Sequence, residues 1–337
     1  MSIDMHCHHF TFKNGGYIHP KFINSWRIRM YLAGIGLISW QDALQGKLPG
    51  LDQVDEMYRA RLVAQTVESP LDHVVALAFD GIYDEKGLLD KDKTIKYVSN
   101  DAVLDLMRDS PKFLLGASVN PLRRDWKDEL DKCLESGAAL MKWLPSVMNF
   151  DPADKRIDPF YQRLYDTGTP ILMHVGFELA LPTANKQFAH MNRLERVLQT
   201  GVTVIAAHCC GGWPMPFFDI ASLWEFPAMR RLVGLYPNLY FDIAGMMAPH
   251  RKPRLMSALR DPVISERIVY GTDYPITLHG YAFRKQTRGI ILPTNFYEKD
   301  MVVKERCGLT PAMLDRGYQA MGRRLSSAKI RPLCGCH

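Results

Sequence analysis

The chain has 337 residues, 47% of them hydrophobic, and its 42 basic against 36 acidic residues give a net charge of +6. This length and apolar content suit one large barrel or two smaller domains around a packed core, and exclude a disordered or fibrous chain. The densest basic clusters are isolated pairs (Arg123-Arg124, Arg230-Arg231, Arg323-Arg324) rather than a stripe interleaved with aromatics, so no nucleic-acid binding is expected.

The apolar runs Val202 to Ala207 and Pro170 to Met173 have strand length, so no membrane segment is expected. Asp4 and His6 interrupt any secretory pattern at the N-terminus, and the expected location is cytoplasmic. Cysteines 7, 133, 209, 210, 307, 334 and 336 are odd in number and scattered, which reads as reduced thiols rather than a disulfide framework.

The first strand is Ile3 to His8. Side chains alternate faces along a strand, so His6 and His8 project to one side, about 7 Å apart, and Cys7 to the other. Two imidazoles on one face are half of a metal site, and the remaining ligands must come from other strand ends. Residues 9–70 follow as an insertion, with a helix over Leu51 to Gln65. Its Trp26, Tyr31, Trp40, Arg27 and Arg29 suit either a pocket wall or packing at a barrel rim.

From Asp72 onward strands and amphipathic helices alternate. The strands are His73 to Phe79, Phe113 to Val119, Ala138 to Trp143, Pro170 to His174, Val202 to His208, Leu239 to Ile243 and Ile268 to Asp273. The helices lie near Asn100 to Asp109, Trp126 to Ser136, Pro159 to Thr167, Asn192 to Gln199 and Phe226 to Leu235. With the first strand that makes eight, and a (β/α)8 TIM barrel is the expected fold. The competing open doubly wound sheet would show a glycine-rich phosphate loop, which is missing. No linker or repeat divides the chain, so residues 1–337 read as one domain. A helical extension from about Tyr281, with a helix over Thr310 to Ser326, is expected either to wrap the barrel or to serve a homodimer interface.

Polar residues end these strands: His6 and His8, Lys142, His174, His208 and Asp273. In a parallel barrel all these ends meet on the face where active sites are built. Singly, each histidine reads as a hydrogen-bonded structural residue and Asp273 as a turn residue. Their convergence reads as a metal site. His9, His19, His73, His190, His250 and His279 lie outside the pattern and are expected to be structural.

The motifs Ile3-Asp-Met-His-Cys-His8, His174 in Met-His-Val-Gly, His208 in Ala-Ala-His-Cys-Cys-Gly-Gly-Trp-Pro and Asp273 in Tyr-Gly-Thr-Asp-Tyr-Pro resemble the amidohydrolase superfamily. More closely the chain is similar, over residues 3 to about 325, to the amidohydrolase-related branch that includes aminocarboxymuconate semialdehyde decarboxylase and aromatic-acid decarboxylases. The resemblance implies a single divalent ion, usually zinc, held by His6, His8, His174 and Asp273, with His208 beside it as acid/base or transition-state stabiliser. In binuclear branches a carboxylated lysine on strand four bridges two metals, and Lys142 stands where this happens. One ion is the favoured count, because a lysine there also serves as a simple cation.

This assembly suits two reactions on a small-molecule substrate. One is hydrolysis of a carboxylated or cyclic molecule by metal-activated water, with Asp273 as base and His208 donating a proton or stabilising charge. The other is non-oxidative decarboxylation of an aromatic or muconate-like acid. A third reading, a barrel that has lost catalysis, fits poorly with the intact ligand set. Glu178, Asp80 and Asn120 reach toward the pocket or cap local structure. Arg27, Arg29, Arg124, Arg251 and Lys142 are candidate cations for a substrate carboxylate. Cys209 or Cys210 borders the pocket, Cys7 packs between strands and helices, and Cys334-Gly-Cys336-His337 reads as a frayed tail.

Overall fold

The structure, a computed structural model, describes residues 1–176, 178, 180–211, 220–275 and 283–322. His279, Tyr281, residues 323–326 of the expected last helix, and the Cys334-Gly-Cys336-His337 tail lie outside the described residues.

Short apolar strands build the centre: β1 (Ile3–His8), β2 (His73–Leu77), β3 (Phe113–Ala117), β4 (Leu140–Trp143), β5 (Ile171–Met173), β6 (Val204–Ala206), β7 (Leu239–Asp242) and β8 (Ile268–Val269). Each pairs in parallel with the next. The sheet closes on itself through the chain that follows β8. Met5 N–H donates to Tyr270 O at 3.0 Å, Asp273 N–H to His6 O at 2.7 Å, and His8 N–H to Tyr274 O at 2.8 Å. The eight-stranded barrel anticipated from alternating strands and helices is therefore the fold.

A two-residue period sorts the strand side chains. Val75, Leu77, Leu140, Leu172, Ile205 and Val269 form an inner cluster with Ile3 and Met5. Their alternates, such as Val74, Ala76, Met141, Trp143, Phe241 and Tyr270, face the surrounding helices. β1 carries one irregularity: its register against β2 shifts between Asp4 and Cys7. Met5 in the inner cluster is therefore followed directly by His6 at the cavity, a re-aiming that bulges perform. Cys7 points outward as expected, its Sγ 3.2 Å from Tyr297 Oη.

The helix Pro311–Ala320 closes the N-terminal end of the barrel. Gly317 permits this approach, since a Cβ there would lie 2.6 Å from Ile3 Cγ2 and 2.7 Å from Met5 Sδ. Tyr318 and Met321 join the inner cluster, and Tyr318 Oη meets His73 Nδ1 at 2.7 Å. One further helix, Lys252–Arg260 after β7, escaped the periodicity reading, and Phe296–Glu305 after β8 falls within the expected helical extension.

At the opposite end, residues 9–70 hold helices Pro20–Ile23, Trp26–Gly34, Trp40–Leu44 and Leu51–Val67. The first three begin at side-chain caps: His19 Nδ1 accepts from Lys21 N–H, Ser25 Oγ from Ile28 N–H and Ser39 Oγ from Asp42 N–H. An antiparallel ribbon, Gly16–Ile18 with Lys96–Val98, joins this insertion to the β2–β3 connection. Among the described residues no helix is long and apolar enough to cross a membrane.

Candidate metal centre

The polar residues singled out at the strand ends, His6, His8, Lys142, His174, His208 and Asp273, line one cavity of about 290 Å³, together with Glu178. Each is reached by a specific backbone device. His6 and His8 follow the β1 irregularity, while Lys142 and His174 continue the inward alternation of Leu140 and Leu172. Ile205 of β6 and Ala207 just after it face inward, so simple alternation would turn His208 outward. A left-handed run through His208, Cys209 and Cys210 (φ 56°, 45° and 62°) turns its imidazole to the cavity. Such conformations cost energy in non-glycine residues and persist where neighbours hold them. Here Asp242 does so, its Oδ1 accepting the His208 N–H at 2.7 Å.

Asp242 also sets the chemistry of His6. Its Oδ2 lies 2.7 Å from His6 Nδ1. A carboxylate accepts only, so Nδ1 carries the proton and Nε2 presents its lone pair to the cavity. The same reasoning applies to His208, whose Nδ1 is 2.7 Å from the carbonyl of Ala244. Of the acid/base and charge-stabilising roles expected for His208, this tautomer makes its Nε2 an acceptor first. Burial pushes the His6 imidazole down to about 4, and pushes His8, His174 and His208 down too, so all four are neutral. Neutral imidazoles are what metal ligation requires.

Asp273, at φ 66°, places Oδ1 3.5 Å from His6 Nε2 and 3.0 Å from His8 Nε2. Ligand atoms about 2.0–2.1 Å from one tetrahedral ion lie about 3.4 Å apart, so the three fit one ion. Donor atoms of His6, His208 and Asp273 fall within 4.8 Å of one another. Among the described residues His174 Nε2 is buried without a hydrogen-bond partner, 3.5 Å from Glu178 Oε2, and is the natural addition to the set. Lys142 Nζ lies 3.0 Å from His6 Nε2, the lone pair an ion would use, so its ammonium competes with a cation there. Burial pushes Lys142 down to about 8, although Asp242, Asp273 and Glu178 oppose the shift. Gly245 keeps the centre compact, because a Cβ on it would stand 2.6 Å from Asp273 Oδ2.

The amidohydrolase family profile matches residues 3–293. The chain belongs to the amidohydrolase family. No curated protein matches it. Among solved structures it is similar to 4-oxalomesaconate hydratase from Rhodopseudomonas palustris (16% identity, 97% of each chain, TM-score 0.52). It is similar to a probable 2-pyrone-4,6-dicarboxylic acid hydrolase from Acinetobacter baumannii with citric acid bound (13%, 97% of this chain and 98% of that one, 0.55). It is also similar to a point mutant of 5-carboxyvanillate decarboxylase from Novosphingobium aromaticivorans, with bound manganese and 3-methoxy-4-hydroxy-5-nitrobenzoic acid (15%, 95% and 97%, 0.54). At these identities the likeness is one of fold.

The rest of this amidohydrolase's cavity is mostly apolar. The insertion supplies Phe10, Phe12, Ile18, Phe22, Ile28 and Tyr31, so it does form a pocket wall, while Trp26 and Trp40 are exposed. Of the candidate cations, Arg251 and Lys142 line the cavity, and Arg29 and Arg124 do not; the Arg27 side chain is outside the description. Asp80 and Asn120 are structural: Asp80 accepts from Gly81, Tyr83, Asn120 and Arg123, and Asn120 donates to Gly81 O and Met148 O. Neither Cys209 nor Cys210 borders the cavity, and Cys209 Sγ instead donates to Asp242 O.

Three positions at or beside the cavity were not singled out from the sequence. His250, expected to be structural, lines the cavity from the turn Pro249–Arg251. Asp242 is the last residue of β7, just as Lys142 and His174 stand at the ends of their strands. Lys96 lines the cavity from the three-residue ribbon, which has too little periodicity to announce itself.

Proposed function

We propose that this amidohydrolase is a metal-dependent hydrolase of a small carboxylated or cyclic molecule. One divalent ion is held by His6, His8, His174 and Asp273, with His208 and Lys142 beside it. The observation that supports this most is the pair of histidine nitrogens 3.5 and 3.0 Å from a single Asp273 oxygen, with the His6 lone pair turned to them by Asp242. Zinc is the proposed ion, because imidazoles and one carboxylate suit it; manganese is the second choice. Among the described residues Cys7, Cys133, Cys209 and Cys307 form no disulfide, which fits the proposed cytoplasmic location.

When bound, the ion supplies Lewis acidity that lowers the pKa of water toward about 7. The chain's own groups do the rest. Asp273 and the Nε2 lone pair of His208 accept the proton of the attacking water, and the proton then passes to the leaving group. Lys142 holds positive charge beside the carbonyl oxygen on which negative charge develops. Phe10, Phe12, Phe22 and Phe79 exclude bulk water from the substrate's apolar body.

The same apolar wall favours a second reading, decarboxylation, since a desolvated carboxylate is raised in energy before it loses CO2. Turnover of lactones and aromatic acids in ¹⁸O-labelled water separates the two. The hydrolase reading expects ¹⁸O in the product and loss of turnover with chelator. CO2 release without ¹⁸O incorporation rejects it.

A further inference from the structure

Among the described residues, Lys96 is a buried cation with no carboxylate of its own beside it. It sits in the ribbon strand Lys96–Val98, opposite Ile18, and both side chains line the cavity. The residue is only 6% exposed. Among the described residues, what meets Nζ is aromatic: the Phe10 ring centroid at 3.6 Å and the Phe79 centroid at 5.2 Å. Cation–π contact recovers part of the cost of burying an ammonium, but a carboxylate partner recovers far more.

Two carboxylates act on Lys96 from a distance, Asp273 and Glu178. Neither is available to it. Asp273 faces His6 and His8, while Glu178 faces His174 and accepts the N–H groups of Ala180 and Leu181. Burial, reinforced by the Lys142 ammonium and only partly offset by these two carboxylates, brings the Lys96 ammonium down to about 7, so a bound anion is what would keep it charged. Phe10 also stacks on His8, centroids 5.9 Å apart, so one phenyl ring touches both the ammonium and an imidazole of the metal centre. A flat molecule lying along that wall spans from the reacting centre to Lys96.

We infer that Lys96 anchors a carboxylate of the substrate at the aromatic end of the cavity, making it a specificity-determining residue for planar acids. This builds on the proposed metal-dependent reaction by naming the group that selects its substrate class. A carboxylate there forms a charge-assisted hydrogen bond in a water-poor pocket, and a neutral amide or ester leaves the ammonium unpaired.

The test is calorimetric binding of isophthalate, benzoate and the neutral isophthalamide to wild type, Lys96→Met and Lys96→Arg. Each is measured metal-loaded and chelator-stripped. Wild type is expected to bind isophthalate more tightly than isophthalamide. Lys96→Met should lose about 10–100-fold for isophthalate and little for the amide, and Lys96→Arg should stay within several-fold of wild type. Equal isophthalate binding by wild type and Lys96→Met, no preference for acid over amide, or no binding of either acid to wild type overturns the inference. Thermal melts and the arginine variant guard against misfolding. Because binding is also read without metal and without turnover, the anchor stands or falls separately from the hydrolase reading.

Discussion

Replacing Asp242 by asparagine isolates the group that holds His6 as a ligand tautomer. Asp242 is fully buried and uses both oxygens: Oδ2 accepts the His6 Nδ1–H at 2.7 Å, and Oδ1 accepts the N–H groups of His208 at 2.7 Å and Ala244 at 3.0 Å. An amide fills the same space, but only one of its ends accepts. With that end turned to the two backbone donors, its NH₂ faces His6 Nδ1 and donates to it. The imidazole must then carry its proton on Nε2, and the lone pair facing the cavity is lost. Losing such a partner of a ligating histidine costs about 10–100-fold in metal affinity, or about 1.4–2.7 kcal/mol. Competition with a chelator at neutral pH measures it, and a thermal melt confirms that the variant is folded. A folded Asp242→Asn protein with wild-type metal affinity refutes the tautomer argument.

Three further outcomes follow from the same geometry. Gly245→Ala puts a Cβ 2.6 Å from Asp273 Oδ2 at a residue with φ +63°, so kcat/KM should fall about 10–100-fold for about 1–3 kcal/mol of strain; unchanged kinetics would show that Asp273 tolerates displacement. Gly317→Ala overpacks the barrel floor against Ile3 and Met5 and should cost about 1–3 kcal/mol in chemical denaturation while leaving KM alone. The ion-free protein should lose stability as pH falls. Burial holds His6 at about 4 and His9 at about 3, against 6.5 in a model peptide, so below pH 6.5 the unfolded chain binds protons the folded one refuses. Each contributes about 2 kcal/mol of loss by pH 5. Asp4 opposes this, since burial raises its carboxyl to about 7; its term favours the folded state most at low pH and is lost as pH rises through 7. Burial raises Asp80, Asp273 and Asp300 as well, and lowers His8, His174 and His208 with the other two; the five histidines outweigh the four aspartates, so denaturant melts at pH 5 and pH 7 should differ, and a flat profile contradicts the burial argument.

Much of this was legible in the sequence because a barrel strand is a short apolar run whose last residue lies at the mouth. His174 and Lys142 needed nothing more than that. His208 was found by the same rule, but for an incomplete reason: its orientation depends on a left-handed turn held by Asp242, and no residue of Ala207-His208-Cys209-Cys210 signals such a turn the way a glycine would. The register shift in β1, which sets Met5 and His6 both inward, is equally silent. Lys96 was out of reach for a different reason. Its neighbours Phe10 and Ile18 are more than 75 residues away in the chain, and a three-residue strand carries almost no periodic signal.

The central claim is that one divalent ion sits among His6, His8, His174 and Asp273. Anomalous diffraction from crystals of the zinc-loaded protein tests it most directly. One peak about 2.0–2.2 Å from those four side chains is the expected result. No peak there, or two peaks bridged by a carboxylated Lys142, contradicts it.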